Sequence, residues 1–532
     1  MNNKYLNKYI TSAIGLVAVF ICFYISWMPV FHHGSWSGHD FLFHINRVLS
    51  SVNGLKNGQL IPYYDVDYKN HPGYGSNLFY PPLANLLGSI FFYISHDFNV
   101  TVKLLAIFIA ISSFLTSYFV LIRINGDKLP SVIYSLCFSC SIYMVDNIFI
   151  RSSYPEAMAI CAIPLFLYGL GYASNRESVF FLASANIIFI LSNIPATLCS
   201  GVVFIIYYSI NRRRLAQYVV SVCISILLCS WYVFPLIYST HGESFTMLDR
   251  DWFPTMSRTY ISLYDLISGE IIKSGPLKGM ALGIGLPITF AFIWNFATDH
   301  NKKKQDYLLV LIILLIICGG INFGFLGGVF THLSKIQFTW RFIPFLLFSI
   351  LLILHASGRI KLKYILLIFT STCLMTSAIT VPKKSSHNLT IDIAASANYK
   401  DYVLSNAPEL GDRIKELKCD NGLSYAFSRT LGSNGLPVFT FSIPTKTTCS
   451  IPFMSYKSLE LDGAKKYSRD GYFKAELTKG NYIIRIDTTY RFKQVVLISF
   501  IVSICTILTI LLFALKRKWK WKWKWKWKWK WK

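Results

Sequence analysis

Apolar runs long enough to cross a lipid bilayer return again and again along this chain, and nothing else constrains its fold as strongly. A spanning helix needs about 20 such residues, because the hydrocarbon core is about 30 Å thick and each helical residue rises about 1.5 Å. Twelve runs qualify, near 9–31, 100–122, 130–149, 157–173, 178–194, 197–210, 215–238, 279–298, 307–328, 340–356, 363–381 and 493–515. Only 15% of the 532 residues are charged, where soluble domains carry about 25%. The first run is too long for the apolar region of a signal peptide and has no small-residue cleavage site, so it counts as a span. The expected fold class is therefore an all-α polytopic membrane protein with about 12 transmembrane helices.

The loops between runs sort by charge. Basic clusters lie at 123–128 (RINGDK), 175–177 (NRE), 211–214 (NRRR), 300–305 (HNKKKQ), 359–363 (RIKLK) and from Lys516, and Lys4 and Lys8 make the start basic too. Lys/Arg excess marks the cytoplasmic side, and twelve spans place all seven there. The short apolar stretch 80–95, opening on two prolines, would invert this order as a full crossing, so it is expected to lie in the outer interface. The first division is thus 1–381, a transmembrane domain with outer loops 32–99, 150–156 and 239–278. Residues 382–492 change character, with short β-like runs at 437–443, 472–477 and 481–487 and turn signals at 462–463, 470–471 and 479–481. They are expected to form a small β-rich extracytoplasmic domain before the last span, 493–515.

Net charge is +26, but the 516–532 Lys/Trp repeat supplies ten of those charges, and no nucleic-acid-binding motif is present. A cytoplasmic tail of this kind would adhere to anionic membrane lipids. Ten of the twelve cysteines lie in apolar runs, where a thiol packs as a small hydrophobe. Cys419 and Cys449 share the outer domain and can pair if it faces an oxidising space.

The ionisable residues beside the outer ends carry the chemistry. In SGHDFLFHINR (37–47), Ser37 or Asp40 is placed to cap a helix on which Asp40, His44 and Arg47 share one face. Spacing alone fits a capped amphipathic helix with a solvated polar stripe. The next outer turn, RSSYPEAMA (151–159), sets Glu156 at the mouth of a span, where a carboxylate is costly unless paired or functional. Its plain role is a negative charge in the first turn after Pro155. Asp40 and Glu156 fall on the same side, an arrangement suited to acid/base work or a metal. KIQFTWRF (335–342) adds Arg341, either an interface anchor or a phosphate ligand.

These pieces together resemble the GT-C superfamily of polyprenyl-phosphate-sugar glycosyltransferases, and within it the YfhO-like bacterial membrane proteins. The resemblance rests on Asp40–Arg47 (D-x-x-x-H-x-x-R), GYGSNLFYPPL at 73–83, RSSYPE at 151–156, QFTWRF at 337–342, and the LDG and RDGYFKAEL segments near the end. Thr339 stands where that pattern has proline. The resemblance implies interfacial helices in the first outer loop. It also implies transfer of a sugar from a polyprenyl-phosphate-linked donor to a glycan or lipid acceptor, outside the bacterial cytoplasmic membrane. Asp40 would be the catalytic base of an inverting displacement, with Glu156 a second catalytic carboxylate. Arg151 and Arg341 would neutralise the leaving phosphate, with His44, Arg47, Tyr154 and Gln337 completing the substrate contacts. A divalent cation, if used, would be held by Asp40, Glu156 and His44. Rival readings are a non-catalytic glycolipid transporter or assembly partner, a glycan polymerase or ligase, and an ion-coupled transporter. The last has little support from the few acids inside the spans, of which Asp146 is one.

Overall fold

The structure is a computed structural model that describes residues 17, 19–250, 259–298, 304–319, 334–382, 388–410 and 416–530, with side chains through 512. Lys4, Lys8, most of the 300–305 cluster, Asp251, Arg258, the 320–328 stretch and the tail side chains lie outside the described residues. Among the described residues, six helices are long and apolar enough to cross a membrane: Phe98–Asn125, Tyr154–Gly171, Ile194–Asn211, Thr339–Ser357, Leu362–Thr380 and Tyr490–Leu512. Two bent pairs, 128–149 and 215–240, raise the number to eight if each is one span. The molecule is a membrane protein, but the expected twelve full spans are not all present among the described residues. Part of 9–31 falls outside them, Leu286–Thr298 is a shorter apolar helix, and 175–192, though helical, does not reach the same apolar standard.

Local chemistry explains several boundaries. Pro195 sits in the first turn of Ile194–Asn211, where its missing N–H costs nothing, and the Asn193 side chain caps that turn. Ser174 and Glu177 form a reciprocal capping box at the start of 175–192. Leu83–Ser95, after the two prolines, is a 13-residue helix, about 20 Å long at 1.5 Å per residue and too short to span. The last helix continues as backbone through Lys530.

The basic loops gather at one end of the helices. Arg123 pairs with Glu177 at 3.7 Å, Arg214 donates to Asn175 at 2.7 Å, Arg359 donates to the Thr298 carbonyl at 2.7 Å, and Asn125 donates to the His355 carbonyl at 2.5 Å. At the other end stand the 37–47 motif and the β-rich domain. Among the described residues its nine strands form two sheets: β1 (Glu416–Cys419), β2 (Ser424–Ala426), β5 (Thr447–Met454), β7 (Lys466–Asp470) and β8 (Tyr472–Leu477) in the order β2-β1-β5-β8-β7, and β3 (Ser428–Leu431), β4 (Pro437–Ile443), β6 (Leu459–Asp462) and β9 (Gly480–Thr488) in the order β3-β4-β9-β6. Every pairing is antiparallel. β4 alternates buried and accessible side chains, as a half-buried strand should. Gly471, at φ +71° between β7 and β8, lies so close to Ala407 that a Cβ would sit 2.4 Å from its Cα. Cys419 and Cys449, directly opposed on β1 and β5, form a disulfide.

This domain is fused to the first outer loop rather than hung from a linker. Tyr64, Tyr68, Tyr74, Leu78 and Phe79 share one hydrophobic core with Phe439, Phe453, Phe473 and Ile484. Polar contacts seal the seam: the Tyr64 hydroxyl donates to Ser458 Oγ at 2.6 Å, Gly75 N–H donates to the Tyr456 hydroxyl at 3.1 Å, and Arg429 pairs with Asp67 at 2.8 Å.

Candidate active site

The site begins with a close approach of two backbones. His39 N–H donates to the Ile150 carbonyl at 3.1 Å, and Asp40 N–H to the Arg151 carbonyl at 2.8 Å. Only glycine fits before them: a Cβ on Gly38 would lie 2.3 Å from Ser152 Oγ and 2.6 Å from the Ile150 carbonyl oxygen. Opposite it, Ser152 turns the chain with φ 55°, a conformation costly for a residue with a Cβ. These contacts bring the first outer motif against the second.

Asp40 stands at the cap position of helix Phe41–Lys56, yet its side chain makes no capping bond. The residue is partly exposed, and its carboxyl sits in the field of Arg151, Arg341, Glu156 and His39. Burial pushes its pKa up; Arg151, Arg341 and His39 pull it back, and Glu156 adds to the rise. An aspartate whose oxygens are not spent on its own helix is available for other chemistry.

Glu156, fully buried, is the opposite case. Its Oε1 accepts from the Tyr143 hydroxyl at 2.6 Å, Arg151 Nη1 at 2.8 Å and Asn147 Nδ2 at 3.4 Å; its Oε2 accepts from Arg341 Nε at 3.1 Å. Arg151 Nη1 also reaches Asn147 Oδ1 at 2.9 Å, and Arg341 Nη1 reaches Gln337 Oε1 at 2.8 Å and the Ile336 carbonyl at 2.5 Å. Burying one carboxylate with two guanidiniums is tolerable only when the remaining lone pairs are satisfied, and here they are. Glu156 pushes the Arg151 pKa up, against the effect of burial. Gln337 holds a left-handed conformation, φ 71°, as it turns its side chain to Arg341. Phe338 and Trp340 stack at 4.1 Å, with Arg341 over Phe338 and Arg151 over Trp340, at 5.1 and 5.9 Å to the ring centroids.

The other expected contacts fall into two groups. His44 is buried, edge-on to Tyr80 at 5.7 Å and Tyr154 at 6.2 Å, and burial, then Arg47 and Arg151, hold its pKa well below the ordinary value. A neutral imidazole results. The Tyr154 hydroxyl is buried and has no hydrogen-bond partner among the described residues. Arg47 instead pins the YPP turn, through Nε to Asn77 Oδ1 and Nη2 to the Tyr80 and Pro81 carbonyls, each at 3.2 Å, under the Tyr80 ring. It has no carboxylate in ion-pair range among the described residues.

The donor set does not suit the divalent cation that the resemblance implies. Among the described residues no three of His, Cys, Asp and Glu gather as a metal site. Glu156 is committed to four donors, two of them cations, and His44 turns to aromatic rings. Sequence reasoning missed Tyr143 and Asn147, although they sit four residues apart on one face of helix Ile142–Phe149, with Arg151 four residues further on just past its end. It also missed Tyr80, Tyr399 and Asp401 around Asp40. The last two belong to a segment remote in sequence that carries no motif.

No family model matches the chain. An uncharacterized protein of Lactococcus lactis subsp. cremoris (strain MG1363) is 24% identical over 302 residues, which is 53% of this chain and 49% of that protein. The chain therefore matches about half the length of that relative. Among solved structures, the mycobacterial arabinofuranosyltransferase AftD (mutant R1389S) overlays with a TM-score of 0.42 and 16% identity, over 68% of this chain and 28% of that one. At that score the overlay assigns neither fold nor activity.

Proposed function

We propose that the chain is a membrane glycosyltransferase that moves a sugar from a polyprenyl-phosphate carrier to a glycan or lipid acceptor at the outer face of a bacterial cytoplasmic membrane. The observation that carries the reading is Asp40: a carboxyl not spent on its helix cap, set beside two guanidiniums that a buried glutamate holds in place. The GT-C resemblance of the four motifs agrees with it.

In the reaction, Asp40 takes the proton of the acceptor hydroxyl as that oxygen bonds to the anomeric carbon. The bond from that carbon to the phosphate oxygen breaks, and its electron pair leaves with the phosphate. Attack opposite the leaving group inverts the anomeric centre. Arg151 and Arg341 face the phosphate where charge develops, and preorganised cations are worth most in such a water-poor site. Glu156 sets the two guanidiniums and takes no proton. His44, neutral and aromatic-lined, packs the floor. No step is routed through a metal, because the side chains present do not fit one.

The test is transfer by purified protein in detergent from a polyprenyl-phosphate-sugar to an acceptor prepared from the cell envelope. The proposal expects product of inverted configuration and a change in surface glycans when the protein is absent. Unchanged surface glycans, with carrier bound but never turned over, would favour the transporter or assembly reading instead.

A further inference from the structure

The groups that face Asp40 from across the cleft come from residues 397–405, between the last helix of the transmembrane domain and the first strand. Tyr399 donates its hydroxyl to the His39 carbonyl at 3.2 Å, and its ring meets Phe43 edge-on at 5.3 Å. Three residues on, Tyr402 meets the Tyr80 ring at 6.3 Å, and its N–H reaches the Tyr74 hydroxyl at 3.3 Å. The third outer loop holds the segment from behind. Thr246 N–H donates to the Val403 carbonyl at 3.1 Å and Met247 N–H to the Asp401 carbonyl at 3.0 Å.

The Asp401 backbone is thereby fixed on both sides, and its carboxyl comes within electrostatic reach of Asp40, with Arg250 as the facing cation. Asp40, Tyr80, Tyr399 and Asp401 are all partly exposed, while Phe43, His44, Tyr402 and Val403 around them are buried. Partly open groups ringed by buried ones describe a cleft. Beyond Tyr80, Tyr232 is 4% exposed; its buried hydroxyl has no hydrogen-bond partner among the described residues and lies in the field of Arg47 and Tyr80. A buried hydroxyl without a partner costs free energy unless something else supplies one.

A sugar ring offers an apolar C–H face and a rim of hydroxyls. Aromatic side chains suit the first, and carboxylates and phenols suit the second. We propose that residues 399–402 supply the acceptor-saccharide subsite: Asp401 accepts hydroxyls of the acceptor sugar opposite Asp40, Tyr80 and Tyr399 wall the ring, and Tyr232 takes a hydroxyl at the far end. This rests on the transferase reading and adds which part of the chain selects the acceptor. Asp401 binds and orients; it makes and breaks no bond.

The experiment separates acceptor KM from kcat in full-length protein. Asp401→Asn should raise the acceptor KM about tenfold or more, the size of a lost charged hydrogen bond, with donor KM and kcat nearly unchanged. Asp401→Glu should restore part of the loss. Tyr232→Phe should raise the acceptor KM severalfold with no fall in thermal stability, because the hydroxyl it removes has no partner among the described residues. An unchanged acceptor KM in Asp401→Asn and Tyr232→Phe, in a protein whose Asp40→Asn variant is inactive, overturns the subsite and leaves the transferase reading standing. An Asp40→Asn variant as active as the parent overturns both.

Discussion

Asp40 and Glu156 are carboxylates at the same end of the same helices, near the same two arginines, and their surroundings differ in every respect that matters. Glu156 is fully buried and accepts from Tyr143, Asn147, Arg151 and Arg341. Asp40 is partly open, makes no capping bond, and has its pKa raised by burial. One carboxylate is fully engaged by its donors; the other keeps its oxygens off its own cap, with burial raising its pKa. Two acids that look equivalent by sidedness are therefore an anchor and a base, distinguished by how many donors each already has.

The comparison breaks most visibly if the anchor is removed. Glu156→Gln leaves two buried guanidiniums without their counter-charge, a change of the kind that costs about 3–5 kcal/mol. Thermal unfolding in detergent should show that loss, and activity should fall with the fold. A Glu156→Gln protein as stable as its parent, and inactive, would make Glu156 a reacting group and erase the distinction.

A smaller effect probes how Asp40 is placed. Gly38→Ala pushes a methyl against Ser152 Oγ and the Ile150 carbonyl, and overpacking of this kind costs about 1–3 kcal/mol. Transfer should weaken by more than the fold does, because the displaced residues carry Asp40 away from Arg151. Activity and stability falling in equal measure would mean that the approach of 38–40 to 150–151 is only structural.

The smallest effect is on pH. A base works ionised, so activity should fall as pH falls through the Asp40 pKa. Burial raises that pKa above the ordinary 3.8, which moves the acid limb of the rate profile to higher pH than a free aspartate would give. An acid limb at or below 3.8 would contradict that effect of burial on Asp40.

Sequence patterns were most legible where a local rule acts alone. Strands at 437–443 and 472–477 follow from alternation, and the Asp-Gly pairs at 462–463 and 470–471 fall in the turns around β7. Sidedness of charge was enough to expect Asp40, Arg151, Glu156 and Arg341 at one end, and the structure brings the last three into contact with Asp40 in their field. What the sequence could not convey was satisfaction. Nothing in the spacing says that Tyr143 and Asn147 would occupy Glu156, or that Arg47, on the same helical face as Asp40, would turn instead to the Tyr80 and Pro81 carbonyls. The span count also exceeded what hydropathy can decide, since the helix at 175–192 takes in the polar 175–177 and is not apolar enough to stand as a crossing. Residues 399–402 were silent because their role depends on a fold-back that no local pattern encodes.

The most direct measurement is Asp40→Asn, read for sugar transfer and for thermal stability in the same preparation. The account predicts transfer reduced by about 10²- to 10⁴-fold, as for loss of a general base, with stability within about 0.5 kcal/mol of the parent. Near-parental transfer, or a loss of transfer matched by a loss of stability, would contradict it.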